Sequence, residues 1–335
     1  MTAARPGAVP VPRARLAGIG FHVPARKLTN RDLEKMVDTT DEWIRTRTGI
    51  EERRIAEPGT GVSELAAEAA RAALADAKIA ADQVDLIIAA TTTPDMPLPA
   101  TACFVQEKIG AHRAAAFDLG AACAGFVYGA VTGEQFIRTG TYRNVLVIGA
   151  DLISSFIDWT DRSTCVLFGD GAGAAVLVPA DRGGILSAVI GSDGRHADLL
   201  KICAGGSRRP ATPETVAARE HVLRMSGGEV FKLAVRGMSE AVTEALERAG
   251  VRPEEIACII PHQANQRIID AVTERLGLPT EKVYVNLKRY GNTSAASCVI
   301  ALCEARAEGR FKKGDKVVLA TFGAGLVWGA MVVEW

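Results

Sequence analysis

Three short stretches of this chain are apolar at nearly every position: VDLIIAA at 84–90, VLVIGA at 145–150 and IACIIP at 256–261. A strand with one face in water alternates apolar and polar residues, so short continuous runs bounded by polar residues imply strands buried on both faces. Such strands need helices on either side. Helical patterns lie between the runs, at 63–77, about 100–109, 124–139, 230–249 and 265–276, with another ending near 307. Further strand candidates lie at 15–21, 114–119, 283–287, 317–322 and 327–333, and a short helix at 29–37. This alternation predicts an α/β fold with a largely parallel sheet covered on both faces.

The order also repeats. ADQVDLIIAA (81–90) and PEEIACIIPH (253–262) match in residue type, as do the helix-opening turns around Cys123 and Asn292. We read this as an internal duplication whose turns converge on one cleft at the strand ends. GDGAG (169–173) lacks the dinucleotide-binding pattern GxGxxG and has strand-like residues on both sides, which predicts a tight turn between strands.

With 335 residues, 48% of them hydrophobic, the chain can fill a large core. Lys plus Arg and Asp plus Glu both number 39, so no overall charge is available to hold nucleic acid or an anionic membrane. An anionic partner would have to meet a local patch. No apolar run reaches the roughly 18 residues of a membrane span, and the Pro-rich start lacks a signal-peptide core. Residues 1–14 are expected to form a disordered tail, and the protein to be cytoplasmic. The seven cysteines include no CxxC pair, so reduced thiols and no metal site are expected.

Cys123 sits where a strand ending at Leu119 turns through GAACAG into a helix. A helix N-terminus lowers a thiol's pKa and activates it, although a cysteine alone is as readily a small core residue. His262 follows the strand IACIIP, and Asn292 lies in the mirrored turn. Either could be structural, but three such residues at strand ends of a duplicated fold suggest one site. Trp43, Arg45, Arg47, Arg53 and Arg54 cluster in residues 39–56, a segment without clear period. It reads either as a solvated arginine-rich loop or as a site for a phosphorylated planar ligand, since guanidinium pairs with phosphate and indole stacks on a base.

The motifs DEWIRTRTGI, AACAGF, DRSTCVLFGDGAGAAVL, MSGGEVFKLAV, IPHQANQRI, GNTSAAS and FGAGLVWG resemble those of β-ketoacyl-[acyl-carrier-protein] synthase III, over about residues 15–335. The resemblance implies the thiolase-like fold: two duplicated βαβαβαββ halves, 15–185 and 186–335, in a five-layered α-β-α-β-α core. It implies that Cys123 takes an acyl group from acyl-CoA, and that His262 and Asn292 bind the thioester carbonyl of malonyl-acyl carrier protein. Decarboxylation then gives a carbanion that attacks the acyl group. The backbone N–H groups of Cys123 and Ala324 would form the oxyanion hole; the family often has Gly at the second position.

By the same resemblance Trp43 stacks on the CoA adenine, with Thr39, Arg47 and Arg162 near the nucleotide. Gly227, Phe231 and Asn265 line the pantetheine tunnel, and Lys232 and Arg267 form the patch for the acidic carrier protein. Leu98 takes the acyl-pocket position contributed across a homodimer interface; being smaller than the Phe of acetyl-selective members, it suggests a longer or branched primer. No cofactor is implied, both thioesters being substrates.

Other Cys-His-Asn enzymes fit less well. Papain-like proteases carry the Cys near the mature N-terminus in a CGSCW-type context. Thiolases use a second Cys near the C-terminus, and elongating synthases use two histidines. A polyketide-priming relative, a transferase that does not condense and a catalytically silent subunit are the nearer alternatives.

Overall fold

A computed structural model describes residues 13–335, so residues 1–12 of the expected tail lie outside the described residues. Arg13 and Ala14, assigned to that tail, instead open the strand Arg13–His22, in which Ala14 is fully buried.

Two mixed sheets form the framework. The first runs, edge to edge, through Arg13–His22, Asp170–Ala180, Val145–Leu152, Leu86–Ala90 and Ala115–Leu119. The second runs through Gly184–Ser192, Val327–Glu334, Lys316–Gly323 and Ile256–Pro261. Taken in this order the four strands of the second sheet correspond to the first four of the first, which is the duplication read from the sequence. Parallel pairing is confined to the strands around Leu86–Ala90 and to Ile256–Pro261 with Lys316–Gly323. The remaining pairs are antiparallel, so each sheet is mixed rather than largely parallel. The physical reason is plain at the C-terminus: only residues 324–326 join the last two strands, too few for a parallel crossover. In chain order the first strand of the second sheet, Gly184–Ser192, begins two residues before the expected start of the second half.

The helices make five layers with the sheets. Val62–Ala77 and Thr101–Ile109 cover the outer face of the first sheet, and Gly227–Ala249 and Gln266–Leu276 that of the second. Gly125–Arg138 and Ser297–Ala307 lie between the sheets. Successive residues of one strand serve opposite layers: Leu86 and Ile88 join the central core, Ile87 and Ala89 the outer one. Burying each such aliphatic side chain contributes about 1.5–3 kcal/mol, which is why the runs are apolar without alternation.

Two expectations need correction. GDGAG is no turn, since residues 170–173 lie inside the strand Asp170–Ala180. Its glycines serve close packing: a Cβ on Gly173 would meet Val299 of the central helix at 2.5 Å. Residues 283–287 do not form a fifth strand of the second sheet, and only Val283 bridges to Ile259. The buried Gln263 amide takes the place of a strand neighbour, donating to Pro261 O and Tyr284 O and accepting from the Asn286 and Leu287 N–H groups.

Candidate active site

Each half delivers a tight turn into its central helix. In the first, Ala122 has φ +43° and opens the short turn Ala122–Ala124, after which Gly125–Arg138 begins. In the second, Ser294 has φ +51° and opens Ser294–Ala296 before Ser297–Ala307. Left-handed backbone at a residue bearing a side chain costs about 1–2 kcal/mol, and its recurrence at both turns marks them as built for position. The pseudo-symmetry thus pairs Cys123 with Ala295, and Ala122 with Ser294.

Cys123 is partly exposed to a cavity of about 520 Å³ that His262 and Asn292 also line. Gly323 closes on the turn, since a Cβ there would lie 2.7 Å from Cys123 N. Burial pushes the thiol up to about 12 and the Asp151 carboxylate adds to this, while the Ser294 hydroxyl and the Cys123 backbone N–H act the other way. The lowering expected from the helix N-terminus is therefore opposed by desolvation, and the resting group is a thiol.

His262 extends the sheet through its N–H, which donates to Ala320 O at 2.7 Å. Its ring is 3% exposed, and burial holds its pKa down at about 4, so it is neutral at physiological pH. Nδ1 lies 2.6 Å from Ser297 Oγ, which also receives the Gln263 N–H at 3.4 Å. When the Ser297 hydroxyl donates its hydrogen bond to Nδ1, the ring proton is left on Nε2, the tautomer that can serve as a donor in the cavity. Asn292 is held by the segment that leads into the strand Asp170–Ala180: its N–H donates to Leu167 O, and its carbonyl accepts from Gly169 N. Its Oδ1 accepts from Ser294 N at 2.9 Å, which leaves Nδ2 as the free donor. The cavity thus combines a thiol with two neutral N–H donors, the equipment for forming a thioester and holding an enolate oxygen.

The same cavity collects Trp43, Arg47, Gly227, Phe231, Asn265 and Arg267. Residues 41–48, read as lacking a period, form the helix Asp41–Thr48, capped by Thr40 Oγ1 and ended by Gly49 with φ +80°. Two guanidinium groups lie against the Trp43 ring, Arg47 at 5.1 Å and Arg162 at 4.8 Å from its centroid. Arg162 itself does not line the cavity and donates to Asp38 O. Arg53, counted in the same basic cluster, is fully buried and structural, donating to Leu28 O, Asn30 Oδ1 and Val166 O.

The remaining expected residues stand outside the lining. The Thr39 hydroxyl is buried without a partner among the described residues. Lys232 is exposed on the helix turn after Phe231, whose ring lies 6.0 Å from the Arg267 guanidinium. Ala324 is not itself among the lining residues but directly follows Gly323, which is, and Leu98 is 83% exposed on the loop after Leu86–Ala90. The sequence reading missed Ser294, Ser297 and Gln263, all within quoted motifs. The apolar walls Val166, Leu200, Met225 and Phe322 were missed as well.

Two family models match the chain, 3-oxoacyl-[acyl-carrier-protein] synthase III over residues 117–194 and its C-terminal region over 246–335. The chain is 59% identical over 321 residues to β-ketoacyl-[acyl-carrier-protein] synthase III of Symbiobacterium thermophilum, covering 96% of this chain and 97% of that one. It is similar to the crystal structure of 3-oxoacyl-[acyl-carrier-protein] synthase III from Aquifex aeolicus, with 48% identity, TM-score 0.89 and coverage of 96% and 100%. It also resembles the priming β-ketosynthase of the R1128 polyketide pathway, with 37% identity, TM-score 0.90 and coverage of 98% of both chains. The chain belongs to the β-ketoacyl-[acyl-carrier-protein] synthase III family.

Proposed function

We propose that Cys123, His262 and Asn292 carry out the condensation that defines this family. The chain is an acyltransferase that joins an acyl-CoA primer to malonyl-acyl carrier protein to begin fatty-acid synthesis. The observation that carries the residue assignment is the meeting of one thiol, one neutral imidazole and one carboxamide in a single cavity.

Cys123 Sγ attacks the acyl-CoA carbonyl, the acyl–sulfur bond of CoA breaks, and the thiol proton leaves on the CoA sulfur. Malonyl-acyl carrier protein then binds with its thioester oxygen against His262 Nε2–H and Asn292 Nδ2–H. Loss of CO2 leaves an enolate whose charge those donors hold; removing one such donor typically costs about 10²–10³ in rate. The enolate carbon attacks the Cys123 thioester, its oxyanion held by the backbone N–H groups of Cys123 and Ala324. Collapse releases β-ketoacyl-acyl carrier protein, and the Cys123 thiolate takes up one proton. Atoms and electrons balance with the two thioesters alone, so the reaction calls for no cofactor.

Trp43, Arg47 and Arg162 hold the nucleotide end of CoA, near Thr39, and Gly227, Phe231 and Asn265 its pantetheine arm. Lys232 and Arg267 at the rim meet the carrier protein. Exposed Met96 and Leu98 support a homodimer in which Leu98 completes the partner's acyl pocket. All seven cysteines are free, which supports a reducing, cytoplasmic setting. Among the described residues no helix is long and apolar enough to cross a membrane.

The test is CO2 release from malonyl-acyl carrier protein with a panel of acyl-CoAs. Product formation that stops in Cys123→Ala supports the assignment. No CO2 release with any primer would leave transfer without condensation. The R1128 enzyme primes a polyketide pathway, and turnover with a fatty-acid carrier protein separates the two readings.

A further inference from the structure

The Ser294 hydroxyl is buried, and its hydrogen bond runs to the nucleophile: Oγ lies 3.3 Å from Cys123 Sγ. Ser294 holds left-handed backbone, a conformation in which Gly would cost least, yet it carries a hydroxyl. The same hydroxyl faces the fully buried Asp151 carboxylate. Oδ1 of Asp151 accepts from Thr91, Thr92 and Thr93, whereas Oδ2 has only the Ala295 N–H at 3.2 Å and can take another donor. One hydroxyl proton therefore stands between a sulfur and a carboxylate oxygen.

We propose that Ser294 is a catalytic residue for both sulfur steps, its hydroxyl donating to Cys123 Sγ while the sulfur is anionic and turning to Asp151 while it is acylated. This rests on the reading of Cys123 as nucleophile. A thiolate forms twice in the cycle, when Cys123 attacks the acyl-CoA and when the β-ketoacyl product leaves it. Both occur in a site where burial and Asp151 disfavour the anion. The titratable groups facing Cys123 are Asp151 on the strand Val145–Leu152, Cys298 on the central helix Ser297–Ala307, and His262 in the same cavity wall. None is a cation at neutral pH, since His262 is neutral there. The local hydroxyl and backbone N–H groups are then what offset the charge. Decarboxylation of the malonyl group passes through no Cys123 anion, so Ser294 has no part in it.

The test compares wild type, Ser294→Ala and Ser294→Gly in the full chain by the pH dependence of iodoacetamide alkylation at Cys123. A hydrogen bond to a charged group corresponds to a rise of about 1–2 pH units in the thiol's titration when the donor is removed, read well below the midpoint as alkylation about 10- to 100-fold slower at a given pH. The same rise is expected in both variants. Gly keeps the left-handed backbone and the N–H that fixes Asn292, so it isolates the hydroxyl from the turn. Cys123 acylation by acyl-CoA should fall at least tenfold more than decarboxylation of malonyl-acyl carrier protein. Unchanged alkylation profiles would overturn the proposal, as would a rise in Ala absent from Gly, or equal losses in acylation and decarboxylation. A wild type that is not alkylated at Cys123 would instead remove the nucleophile reading beneath it.

Discussion

Ser297→Ala separates the donor role of His262 from the thiol chemistry of Cys123. The Ser297 hydroxyl is buried, 2.6 Å from Nδ1 of a ring that is 3% exposed. Its loss leaves Nδ1 unpaired and removes the acceptor of the Gln263 N–H. Leaving a buried polar group unsatisfied costs about 1–3 kcal/mol of stability. For catalysis the relevant quantity is the preference for the Nε2–H tautomer and its orientation. One neutral hydrogen bond supplies about 1–1.5 kcal/mol of that preference, a factor of about 5 to 13 in the donor-competent population. The decarboxylation rate of malonyl-acyl carrier protein should therefore fall about 5- to 15-fold, short of the 10²–10³ expected for deleting a donor outright. The Cys123 alkylation profile should stay where it is, and Ser297→Thr should recover most of the rate. Unchanged decarboxylation, or a parallel shift in alkylation, would refute the tautomer argument.

Two further perturbations follow. Burial lowers the His262 pKa from 6.5 to about 4, so between those values the unfolded chain binds more protons than the folded one. Stability from this group is complete above pH 6.5 and is lost as pH falls toward 4, by about 3 kcal/mol. Urea unfolding between pH 4 and 7 should show that slope in the wild type and lack it in His262→Asn; equal slopes would place the ring in a solvated site. Trp43→Ala removes a stacking surface remote from the sulfur chemistry, which is worth about 1–3 kcal/mol per base. KM for the acyl-CoA should rise roughly 5- to 150-fold with kcat nearly constant, and a loss confined to kcat would contradict an adenine platform.

Much of this architecture was legible because the strands serve two cores at once. A strand such as Leu86–Ala90 cannot alternate when Ile87 faces one helical layer and Ile88 the other, so the run itself signals the sandwich. Cys123 and His262 each stand where a strand gives way to a turn, whereas Asn292 follows the short helix Leu287–Tyr290 and was singled out through the duplicated pattern. What the sequence hid is long-range. Arg53 reads as one more solvated arginine until Leu28 and Val166, far away in the chain, present their carbonyls to it. The missing strand at 283–287 depends on a side chain, Gln263, taking the hydrogen bonds of a backbone. The glycines of GDGAG look like a turn locally, and only the approach of Val299 explains them in a strand. The thiol pKa also divides this way: the helix N-terminus can be read from the pattern, but the desolvation that opposes it cannot.

Mass spectrometry of the intact protein after incubation with a panel of acyl-CoAs tests the central claim most directly. Nucleophilic Cys123 predicts one acyl adduct per chain on the Cys123 peptide, none in Cys123→Ala, and discharge of the adduct when malonyl-acyl carrier protein is added. Preference among the acyl-CoAs would identify the primer. An adduct that persists in Cys123→Ala, or a wild type that acquires none from any acyl-CoA, would contradict it.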